Sequence, residues 1–176
     1  MARTAYVDET KRKHYLLCAV VVEQSDVAAV RRELRRIRGP HDGIHMSDRN
    51  ERERLAHART LARLPVAGIL VAADRHRERD ARDVTLERLV PHLLGLGVTR
   101  LVIESCGEDR ADRQVLRRLV GPHPAVAYGH AGKSELMLAL PDILGWAHGR
   151  GGRYAAAVRP VLTHLGTMPS APADRG

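Results

Sequence analysis

Three acidic residues stand where solubility alone does not call for a carboxylate. Asp8 follows Tyr6-Val7 at the end of an apolar strand and has Glu9 beside it. Glu104 closes the run Leu101-Val102-Ile103, and Asp142 interrupts the apolar stretch from Leu136 to Leu144. An ionised carboxylate in such surroundings is costly unless a cation or hydrogen bonds compensate it. One such residue is weak evidence, because a strand-end Asp commonly caps a turn. Three of them at the ends of core elements point to a shared cation. Oxygen donors select hard divalent ions such as Mg²⁺ or Mn²⁺. Two such ions about 4 Å apart can activate a water and stabilise the leaving oxygen of a phosphodiester. Asp8, Glu104 and Asp142 are therefore the candidate catalytic and metal-ligating residues, with Glu9 and Asp112 as further candidate ligands. Asp109 and Asp112 also flank a helix start, where acids favour the helix dipole in any case.

Other side chains suit a polyanionic substrate. His45, in a loop, could position a phosphate or shuttle a proton. Lys133 precedes the last core helix, where a cation could meet a phosphate. Arg31, Arg32, Arg35, Arg36 and Arg38 form a basic stripe on one predicted helix, and Arg31 and Arg35 are its candidate nucleic-acid contacts. The alternative for each is a solvated surface group. The net charge of +8 favours polyanionic partners. Yet lysine supplies only Lys11, Lys13 and Lys133 of 29 basic residues, a bias that arginine-rich codon usage would also produce. Four Tyr, one Trp and no Phe leave base stacking little to work with. Cys18 and Cys106 lack CxxC spacing, which disfavours zinc, and read as buried free thiols. No P-loop or dinucleotide fingerprint is present.

The elements that must position these residues follow from periodicity. Thr4–Asp8 and the apolar run His14–Glu23 predict an antiparallel hairpin. Ser25-Asp26 precedes a helix to about Arg38, stopped by Gly39-Pro40. Ser47 caps a second helix to about Leu64, and Val66–Ala73 is a buried strand. A helix over Asp80–Leu96, a strand over Arg100–Ser105, a helix over Asp109–Val120 and a weak strand from residue 125 to 128 come next. Ser134–His148 is helical, either kinked at Pro141 or restarting there. Its stripe of Leu136, Leu140, Ile143, Leu144 and Ala147 leaves Asp142 off the buried side, near Glu135. A short helix over Tyr154–Leu165 is predicted last. Residues 1–165 form one α/β domain, and residues 166–176 a disordered tail. No apolar run of about 18 residues is present, and the start lacks the apolar segment of a signal peptide. A cytoplasmic location is expected.

Four segments together carry a resemblance. They are Tyr6-Val7-Asp8-Glu9-Thr10, the turn His45-Met46-Ser47-Asp48, Ile103-Glu104-Ser105 running on to Asp112-Arg113-Gln114, and Leu138-Ala139-Leu140-Pro141-Asp142-Ile143-Leu144-Gly145. The chain resembles the bacterial family called domain of unknown function 3800, a ribonuclease H-like group. Thr10-Lys11 replaces the Ser-Gly usual there. The resemblance implies a mixed five-stranded sheet with helices on both faces. It also implies that the first and fourth strands are adjacent and parallel, setting Asp8 beside Glu104, with Asp142 approaching from the last core helix. The activity implied is Mg²⁺- or Mn²⁺-dependent hydrolysis of DNA or RNA. The alternative is a catalytically inactive module of a mobile-element or defence system, which binds nucleic acid or a protein through an inherited fold.

Overall fold

A computed structural model describes residues 1–74, 78–121 and 126–169. The hairpin forms from β1 (Arg3–Lys11) and β2 (Tyr15–Glu23), paired antiparallel from Arg3↔Glu23 to Lys11↔Tyr15. β1 thus runs three residues past Asp8, and the turn contracts to residues 12–14. Next come α1 (Val27–Arg38), a 3-10 turn at Met46–Asp48 and α2 (Glu51–Leu61). α2 starts at Asn50 instead of Ser47. The Asn50 side chain accepts from Glu53 N–H at 3.0 Å while Glu53 accepts from Asn50 N–H at 3.1 Å, a reciprocal cap that Ser47 does not make. The chain continues through β3 (Val66–Ala73), α3 (Glu78–Gly95), β4 (Val98–Glu104), α4 (Asp109–Val120) and β5 (Ala127–Ala131). A 3-10 turn at Leu136–Leu138 leads into α5 (Ala139–Arg150), α6 (Gly152–Val158) and β6 (Leu162–Met168).

The sheet has six strands in the order β5-β4-β1-β2-β3-β6. β1–β4, β4–β5 and β3–β6 are parallel, and the hairpin and β2–β3 are antiparallel. The extra strand corrects two expectations. The predicted last helix ends early: α6 gives way to a 3-10 turn at Arg159–Val161, where Pro160 has no N–H to continue the α-helical ladder. Leu162–Met168 then pairs with β3, so the strand passes the boundary expected at residue 165. The rest of the expected tail, residues 170–176, lies outside the described residues, as does residue 125 at the expected start of β5.

Strand alternation sorts the core into two layers. Tyr6, Leu16, Cys18, Val20, Val22, Leu70 and Ala72 face α1, α2, α5 and α6. Ala5, Val7, Tyr15, Leu17, Ala19, Val21, Ile69 and Val71 face α3 and α4. β2 lies between two neighbours and under helices on both sides. That is why its sequence is an unbroken apolar run instead of an alternating one. Pro141 is the third residue of α5, where a backbone N–H has no intrahelical partner, so the helix is not kinked there. Among the described residues no helix is long and apolar enough to cross a membrane.

Candidate metal centre

β1 and β4 pair in parallel up to Val7↔Ile103, and one step further Asp8 and Glu104 stand side by side. Alternation sends both to the α5 face. Tyr6, two residues before Asp8, belongs to that layer, and Val102, two before Glu104, packs against it. The third carboxylate depends on how closely α5 descends. A Cβ at Gly145 would lie 2.6 Å from Thr10 Oγ1 and 2.9 Å from Cys18 Sγ, so only glycine lets this turn rest on the hairpin. One turn earlier on the same helix is Asp142. Its Oδ2 accepts from Met46 N–H at 3.0 Å, tying α5 to the 3-10 turn before α2. Arg54 clamps that turn by donating to Met46 O at 2.8 Å and Ser47 O at 2.7 Å. Its guanidinium also lies 4.9 Å from the centre of the Trp146 ring.

Asp8, Glu104 and Asp142 line one cleft of about 560 Å³. Arg38, His45, Ser105, Cys106, Lys133 and Ser134 contribute to its walls. The acids are electrostatically crowded. Burial first, then a hydrogen bond with the Glu104 carboxyl and the charges of Glu104 and Asp142, push Asp8 up to about 9, against the Glu9 N–H that donates to it. Burial also raises Asp142, opposed by Met46 N–H and by the charges of His45 and Lys133. Beneath them the fully buried Cys18 thiol is pushed well up by burial and by the charges of Asp8 and Asp142. Lys133 Nζ stands 4.0 Å from Glu104 Oε1. Among the described residues no group of three or more His, Cys, Asp or Glu side chains is placed so that it could hold a metal ion. The three carboxylates line the same cleft, and the charges of Glu104 and Asp142 both act on Asp8.

Six residues expected at the site line the cleft: Asp8, Glu9, Glu104, Asp142, His45 and Lys133. Asp112, Arg31 and Arg35 do not, for definite physical reasons. The Glu9 carboxylate itself turns to the opposite sheet face, where Oε2 accepts from Tyr15 OH at 2.5 Å and Arg82 Nη1 at 2.6 Å. Burial acts against its charge, but Tyr15, Lys11 and Arg82 outweigh it and hold Glu9 below the usual carboxylate range. Asp112 is fully buried there. Arg82 donates to both its oxygens, at 2.8 and 2.6 Å, and His130 Nε2 lies 3.1 Å away. Arg31 is drawn to Glu135, 2.7 Å away, and Arg35 points outward from α1. Neither lines the cleft.

Arg38 does line it. Its Nε is buried and has no hydrogen-bond partner. The sequence grouped Arg38 with the α1 stripe and gave it no separate role, although its place just before Gly39-Pro40 was the available signal. Cys106, expected to be buried, is exposed at the cleft rim.

No protein-family model and no curated protein matches the chain. Among solved structures, the chain is similar to that of the complex of PCNA with ribonuclease HII from Archaeoglobus fulgidus. The TM-score is 0.57 at 13% identity, over 84% of this chain and 72% of the other. The mixed six-stranded sheet with helices on both faces is a ribonuclease H-like fold.

Proposed function

We propose that this chain hydrolyses phosphodiester bonds in DNA or RNA, using Mg²⁺ or Mn²⁺ held by Asp8, Glu104 and Asp142. We also propose that it belongs to the domain of unknown function 3800 family. The carrying observation is the convergence of three carboxylates from β1, β4 and α5 in one open cleft, crowded enough to lift Asp8 to about 9. Burial and like charge make that arrangement unfavourable by itself. A divalent cation would offset the buried negative charge, and an all-oxygen donor set is what hard ions prefer. The fold likeness to a ribonuclease HII supports the same reading at the level of architecture.

The side chains divide the work. Asp8 and Glu104, fixed by strand register, provide paired oxygens at the cleft floor. Asp142 commits one oxygen to Met46 N–H and presents the other to the cleft. Lys133 on the wall offsets the charge of an entering phosphate, with His45 and Arg38 beside it on the cleft lining. When bound, the divalent ion would supply the charge that activates a water and stabilises the leaving oxygen.

The test is cleavage of mixed DNA and RNA substrates with Mg²⁺ and with Mn²⁺, comparing wild type and Asp8→Asn. Turnover by the wild type is expected, reduced by about a hundredfold or more in the variant. Equal cleavage by both proteins would refute the assigned role. Salt-dependent binding without turnover in the wild type would mark the chain as an inactive nucleic-acid-binding module.

A further inference from the structure

On α4 the buried side carries Asp112, Val115, Leu116 and Val120. The exposed side carries Arg110, Arg113, Gln114 and Arg117, which line a shallow groove of about 270 Å³. At 100° per residue these four fall within an arc of about 100°. The three guanidinium stems span about 10 Å of helix axis, or about three nucleotide steps at 3.4 Å each.

Among the described residues Arg110 and Arg117 make no side-chain hydrogen bond or ion pair, and Arg113 donates only to Asp109 O at 3.1 Å. The acids nearby are already engaged. Glu108 pairs with Arg79, Asp109 accepts from Ser105 OH, Asp112 is bound by Arg82, and Glu87 is taken by Arg118. The face is therefore net cationic by construction. On α1, by contrast, Arg31 and Arg36 are neutralised by Glu135 and Glu33.

We infer that the exposed arginine face of α4 is a docking surface for the phosphodiester backbone of nucleic acid. It rests on the reading that nucleic acid is the ligand, but not on hydrolysis. One feature favours phosphate over an acidic protein. Protein interfaces have an apolar core, and among the described residues the only exposed large hydrophobic side chain is Met1. The face also begins where the metal centre ends. Ser105 and Cys106 line the carboxylate cleft, and both bond to Asp109 at the first turn of α4. α4 packs on the sheet face opposite α5, so the arginine face adjoins the cleft through this turn at the end of β4 and offers a separate track for the backbone.

The experiment is fluorescence anisotropy with a short mixed-sequence duplex and its single strand, in EDTA, across a salt series. Wild type is compared with R110Q/R113Q/R117Q, with R110K/R113K/R117K, and with R32Q/R52Q/R59Q, which removes the same charge from exposed positions on α1 and α2. The α4 glutamine variant is expected to bind more weakly, with a slope of log K against log salt shallower by about 2–3 for duplex. The lysine variant and the α1/α2 variant should keep the wild-type slope. Exposed Arg→Gln changes scarcely alter stability, so the variants should fold. Equal losses in both glutamine sets, an unchanged α4 variant, or no binding by the wild type would overturn the inference. Competition by polyglutamate as effective as by duplex would assign the face to an acidic protein and overturn it too. Cleavage is read separately, so a chain that binds through α4 but never cuts keeps this inference and loses the nuclease reading.

Discussion

At the residue scale, two neighbouring acids in β1 have opposite fates. Asp8 is held up to about 9 by burial and then by the like charges of Glu104 and Asp142, whereas Glu9, one step along, is held low by Tyr15, Lys11 and Arg82 against its own burial. At neutral pH Asp8 is ionised in the unfolded chain and must take up a proton on folding, a cost that Asn does not carry. In the absence of divalent metal at neutral pH, Asp8→Asn should therefore melt higher than wild type, by roughly 3–10 °C for a gain on the order of 1–3 kcal/mol. Adding Mn²⁺ should raise the wild-type Tm and leave the variant unmoved, since only a ligand that binds the native state shifts it. On the other face, burial opposes the Asp112 charge, but Arg82, His130 and Arg79 outweigh it and set Asp112 below 3.8. A lowered native pKa gives stability that is complete above the unfolded value near 3.8 and is lost as pH falls through the native one. Tm against pH should show wild type losing this contribution below about pH 4, whereas Asp112→Asn, less stable at neutral pH, should fall less steeply there. An identical acid limb in both proteins would mean that the Arg82 pair carries no such linkage.

At the element scale, the register of β1 on β4 and the descent of α5 bring the acids together. Gly145→Ala sets a Cβ against Thr10 and Cys18, both in the packed hairpin. The expected cost is about 1–3 kcal/mol, as for other overpacked cores. Because the helix must lift, the Mn²⁺-induced Tm shift should shrink as well. A destabilised variant that keeps the full metal shift would show that the position of Asp142 does not depend on this contact. Much at this scale was legible in the sequence. β3 and α4 have the bounds that periodicity gave them, and the three carboxylates were visible as charges inside apolar runs. Glu9 reads as a candidate ligand beside Asp8, although period-two alternation puts the two on opposite faces of β1. Their partners were not legible, because Arg82 and Tyr15 reach Glu9 across 73 and 6 positions of chain. β6 was missed because Leu162–Met168 carries Gly166 and only weak alternation, and its pairing with β3 is a long-range contact. The arginine stripe on α1 misled for a related reason, since the acid that neutralises Arg31 lies 104 residues away.

At the scale of the whole molecule, the sheet keeps its two faces for different purposes. The α3–α4 face holds the buried Arg82–Asp112–Glu9 network, which braces the ends of β1 and β2. The α5 face opens into the cleft where Asp8, Glu104 and Asp142 meet. The site is therefore a strand-end arrangement supported from behind by paired charges and left short of positive charge in front. The most direct measurement is diffraction from crystals soaked in Mn²⁺, with the ion located by anomalous scattering. Density within about 2.0–2.6 Å of oxygens from Asp8, Glu104 and Asp142 is the predicted result. Manganese bound elsewhere, or a cleft that stays without it at millimolar concentration, would contradict the account.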